Sequence, residues 1–225
     1  MLKIERIGRP RSERNREPLA AFEAVATAET YRRGEVVYHP EDPTDQWYCV
    51  VSGLARKCAV ARSGRRQIVD FLFPGDFFGL TARHRHAFGV EAVVQGTVIA
   101  RCLRRRVEII AESDPRLGRL IREMAFEGIS RLQARVLILG RATARQKVGA
   151  FLVEMAQRSA DDSAELVVLP MSRYDIGDYL ALSAETVSRV LTELRQKGVI
   201  AFATRHRVRI VDRGALRERD DRLRG

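Results

Sequence analysis

At 225 residues the chain is long enough for one large or two modest hydrophobic cores. No apolar run approaches the roughly 18 residues that cross a bilayer, and the charged N-terminal stretch LKIERIGRPRSERNRE lacks the apolar centre of a secretory signal. A formal charge of +11 favours a polyanionic partner, while three cysteines without C-x-x-C spacing argue against a disulfide framework and for a reduced, cytoplasmic protein.

Residues 1–18 are polar and arginine-rich with two prolines, the composition of a loose arm. Residues 19–105 read as a β-barrel domain. WYCVVSGLARKCAV alternates in places, ARSGRR supplies a turn, and QIVDFLF follows as a second strand. Pro74-Gly75-Asp76 turns the chain again ahead of Phe77-Phe78-Gly79, and EAVVQGTVIARCL gives two further strands. This spacing of turns predicts a closed antiparallel barrel or a jelly roll. The hydrophobic period then lengthens to that of a helix. Ile121, Ala125, Gly128, Leu132, Val136 and Leu139 step by three or four. A narrow stripe containing Ala and Gly suits close contact with an identical helix, so residues 106–140 are assigned as a dimerisation helix.

Residues 141–225 are assigned to a winged helix-turn-helix. ATARQKVGAFLVEMAQR supplies its first helix, and residues 172–198 read as two short helices joined by a tight turn. Ser172 with Asp175 forms a capping box, flanked by Met171 and Ile176 at the staple positions. Ser183 repeats the N-cap, with Leu182 facing Val187. At about 100° per residue, Val187, Val190, Leu191 and Leu194 fall on one side of the second helix. Glu185, Ser188, Arg189, Thr192 and Gln196 fall on the other. A helix that reads DNA needs this layout: an apolar back seated on its own domain and hydrogen-bonding side chains near its N-terminus aimed at base edges. Glu185, Ser188 and Arg189 are the candidate base contacts. Ser172, Arg173, Ser183, Thr186 and Thr192 are candidate backbone contacts. VIAFATRHRVRIV then reads as a two-stranded wing, whose Arg205, His206 and Arg207 are placed to neutralise phosphates. Two recognition helices one DNA turn apart make a homodimer the economical reading.

Glu185-Thr186-Val187-Ser188-Arg189, with DIGDYL upstream and GVI downstream, resembles the recognition helix of the CRP/FNR superfamily of bacterial transcription regulators. The E-x-x-S-R spacing is similar to the FNR and FixK branch, which implies a TTGAT-type inverted repeat as target. The resemblance assigns Arg189 to a guanine, Glu185 to the opposite strand near the same step, and Ser188 to a neighbouring pair. Arg is the commonest bidentate partner of guanine O6/N7 and Glu accepts from a cytosine amino group, so the chemistry agrees. Ala181 departs from the family's usual Gly in the turn, at about 1 kcal/mol if it must be left-handed. SGLARKCAVARSGRRQIVDFLFPGDFFGL resembles the FixK/FNR sensor barrel, extending the likeness from about Tyr31 to Val211.

The sensor half departs from the family's known ligand sites. Where a CRP-type cyclic-nucleotide pocket has Gly-Glu-Leu and then Arg-Ser/Thr, this chain has Leu80-Thr81 and Phe88-Gly89-Val90-Glu91. An FNR-type iron–sulfur cluster needs four thiolates, three near the N-terminus; here there are three cysteines in all, none before Cys49. Cys49 and Cys58 sit in strand patterns that suit unreactive buried thiols. His84 and His86, with Glu91 and Gly96, approximate the first motif of cupin metalloenzymes, and a haem-carrying or otherwise ligand-gated regulator is a further rival. The preferred expectation for RHRHAF is an exposed basic loop, with no metal and no cofactor. The whole chain is thus expected to be α+β: an antiparallel barrel of the cyclic-nucleotide-binding type, a long dimerisation helix and a C-terminal winged helix-turn-helix. The resemblance implies no enzyme but an activator of low-oxygen, nitrogen-oxide or respiratory genes, with double-stranded operator DNA and RNA polymerase as partners.

Overall fold

The computed structural model describes residues 22, 25–61, 64–81, 83–158, 166–204 and 206–216; the expected arm at 1–18 lies outside them. The chain forms two compact units, residues 1–130 and 131–225. Among the described residues, no helix is long and apolar enough to cross a membrane.

Among the described residues the first unit holds eight strands: β1 (Thr27–Tyr31), β2 (Val36–Tyr38), β3 (Gln46–Ser52), β4 (Ala55–Val60), β5 (Arg66–Leu72), β6 (Phe77–Phe78), β7 (Gly89–Ala92) and β8 (Thr97–Leu103). They pair antiparallel into two four-stranded sheets, ordered β1-β8-β3-β6 and β2-β7-β4-β5. The unit is therefore a jelly roll of two sheets, not a closed barrel. Its shortest edge strands, β6 with two residues and β2 with three and a register shift, leave little backbone with which to join the sheets.

The run WYCVV alternates imperfectly because β3 is covered on both faces. Tyr48 and Val50 point into the core between the sheets, with Tyr31, Tyr38, Leu72, Phe78, Val90 and Ile99. Cys49, together with Ala100 and Cys102 of β8, meets Phe22, Val107 and Leu117 on the outer face. Val107 and Leu117 belong to α1 (Arg104–Ser113) and α2 (Pro115–Arg141). The helical stretch expected over 106–140 thus begins at Arg104 and is broken at Asp114-Pro115. Pro cannot donate in a helix interior but suits its first turn, and the Asp114 carboxylate accepts from Arg116 N–H at 2.9 Å. The boundary between the two units falls inside α2.

All three cysteines are buried thiols. Burial, and then the Glu91 carboxylate, push Cys58 up to about 12, so it is protonated and a poor nucleophile. The RHRHAF segment differs from the exposed loop expected of it. His84 is exposed, but His86 is only 4% exposed and its ring stacks on Tyr38 with centroids 3.9 Å apart. A bridge between Pro43 and Arg85, with His86 N–H donating to Asp42 at 3.0 Å, turns that ring inward. Glu91, the proposed third member of a cupin motif, instead accepts from Arg56 at 2.8 Å and pairs with Arg66 at 3.5 Å. Among the described residues, no three His, Cys, Asp or Glu side chains are grouped to hold a metal ion.

His86 carries a pH prediction. Burial lowers its pKa below the ordinary imidazole range; Lys57 acts in the same direction, while Asp42 and Asp45 oppose it. The unfolded chain therefore takes up this proton first as pH falls. The contribution to stability is complete above about pH 6.5 and declines below it, by at most about 1.4 kcal/mol per pH unit. Unfolding in urea, followed by the fluorescence of Trp47 in β3, is expected to shift to lower midpoints between about pH 7 and pH 5.5. His86→Phe keeps the stack and is expected to flatten that slope; an unchanged slope in the variant refutes the assignment.

Candidate nucleic-acid interface

The second unit contains α3 (Ala144–Arg158), β9 (Leu166–Val168), α4 (Arg173–Leu180), α5 (Ala184–Gln196), β10 (Ile200–Thr204), β11 (Arg207–Ile210) and α6 (Arg213–Leu216). Both short helices are set by local chemistry. Ser172 Oγ accepts from Asp175 N–H at 3.1 Å while the Asp175 carboxylate accepts from Ser172 N–H at 3.0 Å, the reciprocal capping box. Ser183 Oγ accepts from Thr186 N–H at 3.1 Å and shares a second hydrogen bond with the Thr186 hydroxyl. These hydroxyls cap their helices. Each cap satisfies N–H groups that have no partner within the helix.

The turn between α4 and α5 is closed by Leu182 N–H donating to the Gly177 carbonyl at 3.0 Å. A Cβ on Gly177 would sit 2.6 Å from the Leu182 carbonyl oxygen, so only glycine admits this approach. Ala181 adopts the left-handed conformation, φ 53° and ψ 49°. The cost foreseen for a non-glycine residue is therefore present. Ala181→Gly is expected to stabilise the second unit by about 1 kcal/mol, raising its unfolding temperature by about 4–8 °C in calorimetry. A lower temperature would mean that the loss of unfolded-chain restriction outweighs the relief.

On α5, Val187, Val190, Leu191 and Leu194 are buried, whereas Glu185, Ser188, Arg189, Thr192 and Gln196 are exposed. The outer face read from the sequence is thus the free face of the helix. Hydrogen bonds from its own backbone N–H and then from Ser183 lower the Glu185 pKa. At the far end of α5, Glu193 accepts from Lys197 at 2.7 Å and pairs with Arg145 of α3 at 3.7 Å.

Of the expected backbone contacts, Ser172, Ser183 and Thr186 border the two helix starts, and Thr192 lies on the open face. Arg173 places its guanidinium 5.8 Å from the Phe202 ring centre on β10, which ties the start of α4 to the wing. Among the described residues the wing has three strands, not two. β9 pairs with β11 to give the order β10-β11-β9, a partner whose three-residue run LVV carries too little pattern to read as a strand. His206 is exposed but pinned, its Nδ1 3.1 Å from the Leu169 carbonyl. Arg207 is half-buried on β11, and Arg205 lies outside the described residues. Tyr174, beside Arg173 in the first turn of α4, is 71% exposed.

The expected dimer stripe is placed unevenly. Ile121 packs on the core of its own unit, and Gly128 and Leu139 are half-buried. Ala125, Leu132 and Val136 are exposed, together with Phe126, Ile129 and Leu137, which the sequence reading did not include. Ile129 lies about 80° around the helix from Ile121, so the open apolar strip is displaced from the predicted one.

A capped helix pair with a free polar face, set beside a three-stranded wing and following a jelly roll, defines a helix-turn-helix transcription regulator. Residues 146–219 match the Crp-like helix-turn-helix domain, and residues 28–114 the cyclic nucleotide-binding domain. The chain is 38% identical over 206 residues to the nitrogen fixation regulation protein FixK of Azorhizobium caulinodans, covering 90% of this chain and 83% of that one. It is 32% identical to the transcriptional activator protein FnrL of Cereibacter sphaeroides, covering 90% and 84% of the two chains. FixK2 from Bradyrhizobium japonicum, a solved structure, superposes with TM-score 0.79 at 37% identity, covering 85% of this chain and 96% of that one. The chain belongs to the CRP/FNR family of DNA-binding transcription regulators, on its FixK-like side. Its fold and relatives are those of regulators and not of enzymes, which removes the cupin-type reading.

Proposed function

We propose that the protein is a cytoplasmic homodimeric activator that binds a TTGAT-type inverted repeat and touches RNA polymerase to switch on low-oxygen, nitrogen-oxide or respiratory genes. The carrying observation is the exposed triplet Glu185, Ser188 and Arg189 on a helix whose opposite side is fully buried. Arg189 donates to guanine O6 and N7, Glu185 accepts from a cytosine amino group, and Ser188 serves the adjoining pair. Ser172, Arg173, Ser183, Thr186, Thr192, Arg205, His206 and Arg207 hold the flanking phosphates, which fixes register without reading sequence. Pairing occurs along the α2 strip through Ala125, Leu132 and Val136, with Gly128 and Leu139 at its border; Phe126, Ile129 and Leu137 extend it. The name of the FnrL relative, a transcriptional activator protein, supports activation, and that of the FixK relative, a nitrogen fixation regulation protein, supports a regulatory role.

Selection of random duplexes by the purified full-length protein tests this reading. The expected result is enrichment of an inverted repeat with a guanine at matching positions of both half-sites. Enrichment of an unrelated or single-copy sequence overturns it.

A further inference from the structure

The last turns of α2 are fastened to the helix-turn-helix at Arg135. Its guanidinium lies 3.6 Å from the Tyr179 ring centre, and Nη2 donates to the Tyr179 carbonyl at 2.6 Å. That carbonyl belongs to the final turn of α4, where C=O groups have no partner farther along the helix and the dipole favours a cation. The Gly177 carbonyl of the same turn is already taken by the N–H groups of Ala181 and Leu182. From the other side, the Tyr179 hydroxyl donates to Glu154 of α3 at 2.9 Å, and the Phe151 ring meets Tyr179 edge-on at 5.7 Å. Tyr179 is buried, two residues before the left-handed Ala181 that leads into the recognition helix. Arg135 therefore caps α4 and stacks on its tyrosine at once. A planar guanidinium can do both, whereas an ammonium is a point charge that cannot stack in the same way.

We infer that Arg135 is a positioning residue for operator recognition: it holds α4 and α5 at one attitude to the end of α2 and so sets the half-site spacing that the protein accepts. Val136 and Leu137, its neighbours on the helix, are 69% and 70% exposed and lie on the strip proposed for pairing. The cap and the pairing surface therefore occupy the same turn. This inference rests on the proposed reading that α5 enters the groove of a two-fold operator. Two half-sites engage together only if the separation of the recognition helices matches the DNA, so loosening the attachment should widen the set of spacings tolerated.

The test is a titration of wild type and Arg135→Met against inverted repeats whose central spacer is one base pair shorter, correct or one longer. Wild type is expected to prefer one spacer by about tenfold or more, and Arg135→Met by about threefold or less. The variant should keep the wild-type penalty for a changed half-site guanine and the wild-type association state in sedimentation. Arg135→Lys, which keeps the charge, should fall between the two and serves alone if the Met variant does not fold. A variant that binds more weakly at every spacer but retains the full spacer preference overturns the inference and leaves a purely structural role. A wild-type protein indifferent to the half-site guanine overturns the groove reading itself.

Discussion

Val136→Glu is expected to convert the protein into folded monomers that bind an inverted repeat about 10²–10⁴-fold more weakly than wild type while holding a single half-site with unchanged affinity. Val136 is 69% exposed, so a glutamate there removes little from the fold of one chain. In a two-fold pairing of α2 the same residue meets the same region of its copy, and two carboxylates would enter an apolar contact together. Each would lose hydration without a cation to replace it, and the apolar burial of valine, about 1.5–3 kcal/mol per side chain, would be lost as well. The DNA loss follows from linkage. When one half-site is bound, the second recognition helix is presented at high effective concentration, and that gain vanishes in a monomer. Sedimentation measures the association state, and a titration against full and half operators measures the coupling. A Val136→Glu protein that stays dimeric with full operator affinity refutes pairing along α2.

Arg189→Ala is expected to weaken operator binding by about 1–3 kcal/mol, or roughly 5- to 150-fold, and to abolish preference for the half-site guanine. The size follows from geometry. Arg189 stands exposed one turn beyond Glu185, on the side of α5 opposite Val187, Val190 and Leu194. A guanidinium there can meet both acceptors on the guanine edge, and alanine can meet neither. In a double-substitution cycle the variant should lose little more when the guanine is also replaced, because both changes remove the same contact. If the variant still discriminates that base by the wild-type factor, the guanine is read elsewhere. Tyr174, exposed in the neighbouring first turn of α4, would be the next residue to change.

The amino-acid sequence by itself determined the local half of this protein. The cap at Ser172, the cap at Ser183 and the two faces of α5 were legible because each depends on residues three or four positions apart, within one turn of helix. The left-handed strain at Ala181 was foreseeable for the same reason, since φ is a property of one residue and its turn. What lay beyond a turn was decided by tertiary structure alone. His86 stood in a string of cations that read as solvated, yet the pairing of Pro43 with Arg85 carries its ring under Tyr38. The third wing strand arises only because β11 offers a free edge to Leu166–Val168, a choice made across about forty residues of chain. The open strip on α2 depends on which of its faces Leu117, Ile121 and Arg135 have already claimed. A periodic apolar pattern shows that a helix has a buried side; only the packed neighbours settle which residues remain for a partner.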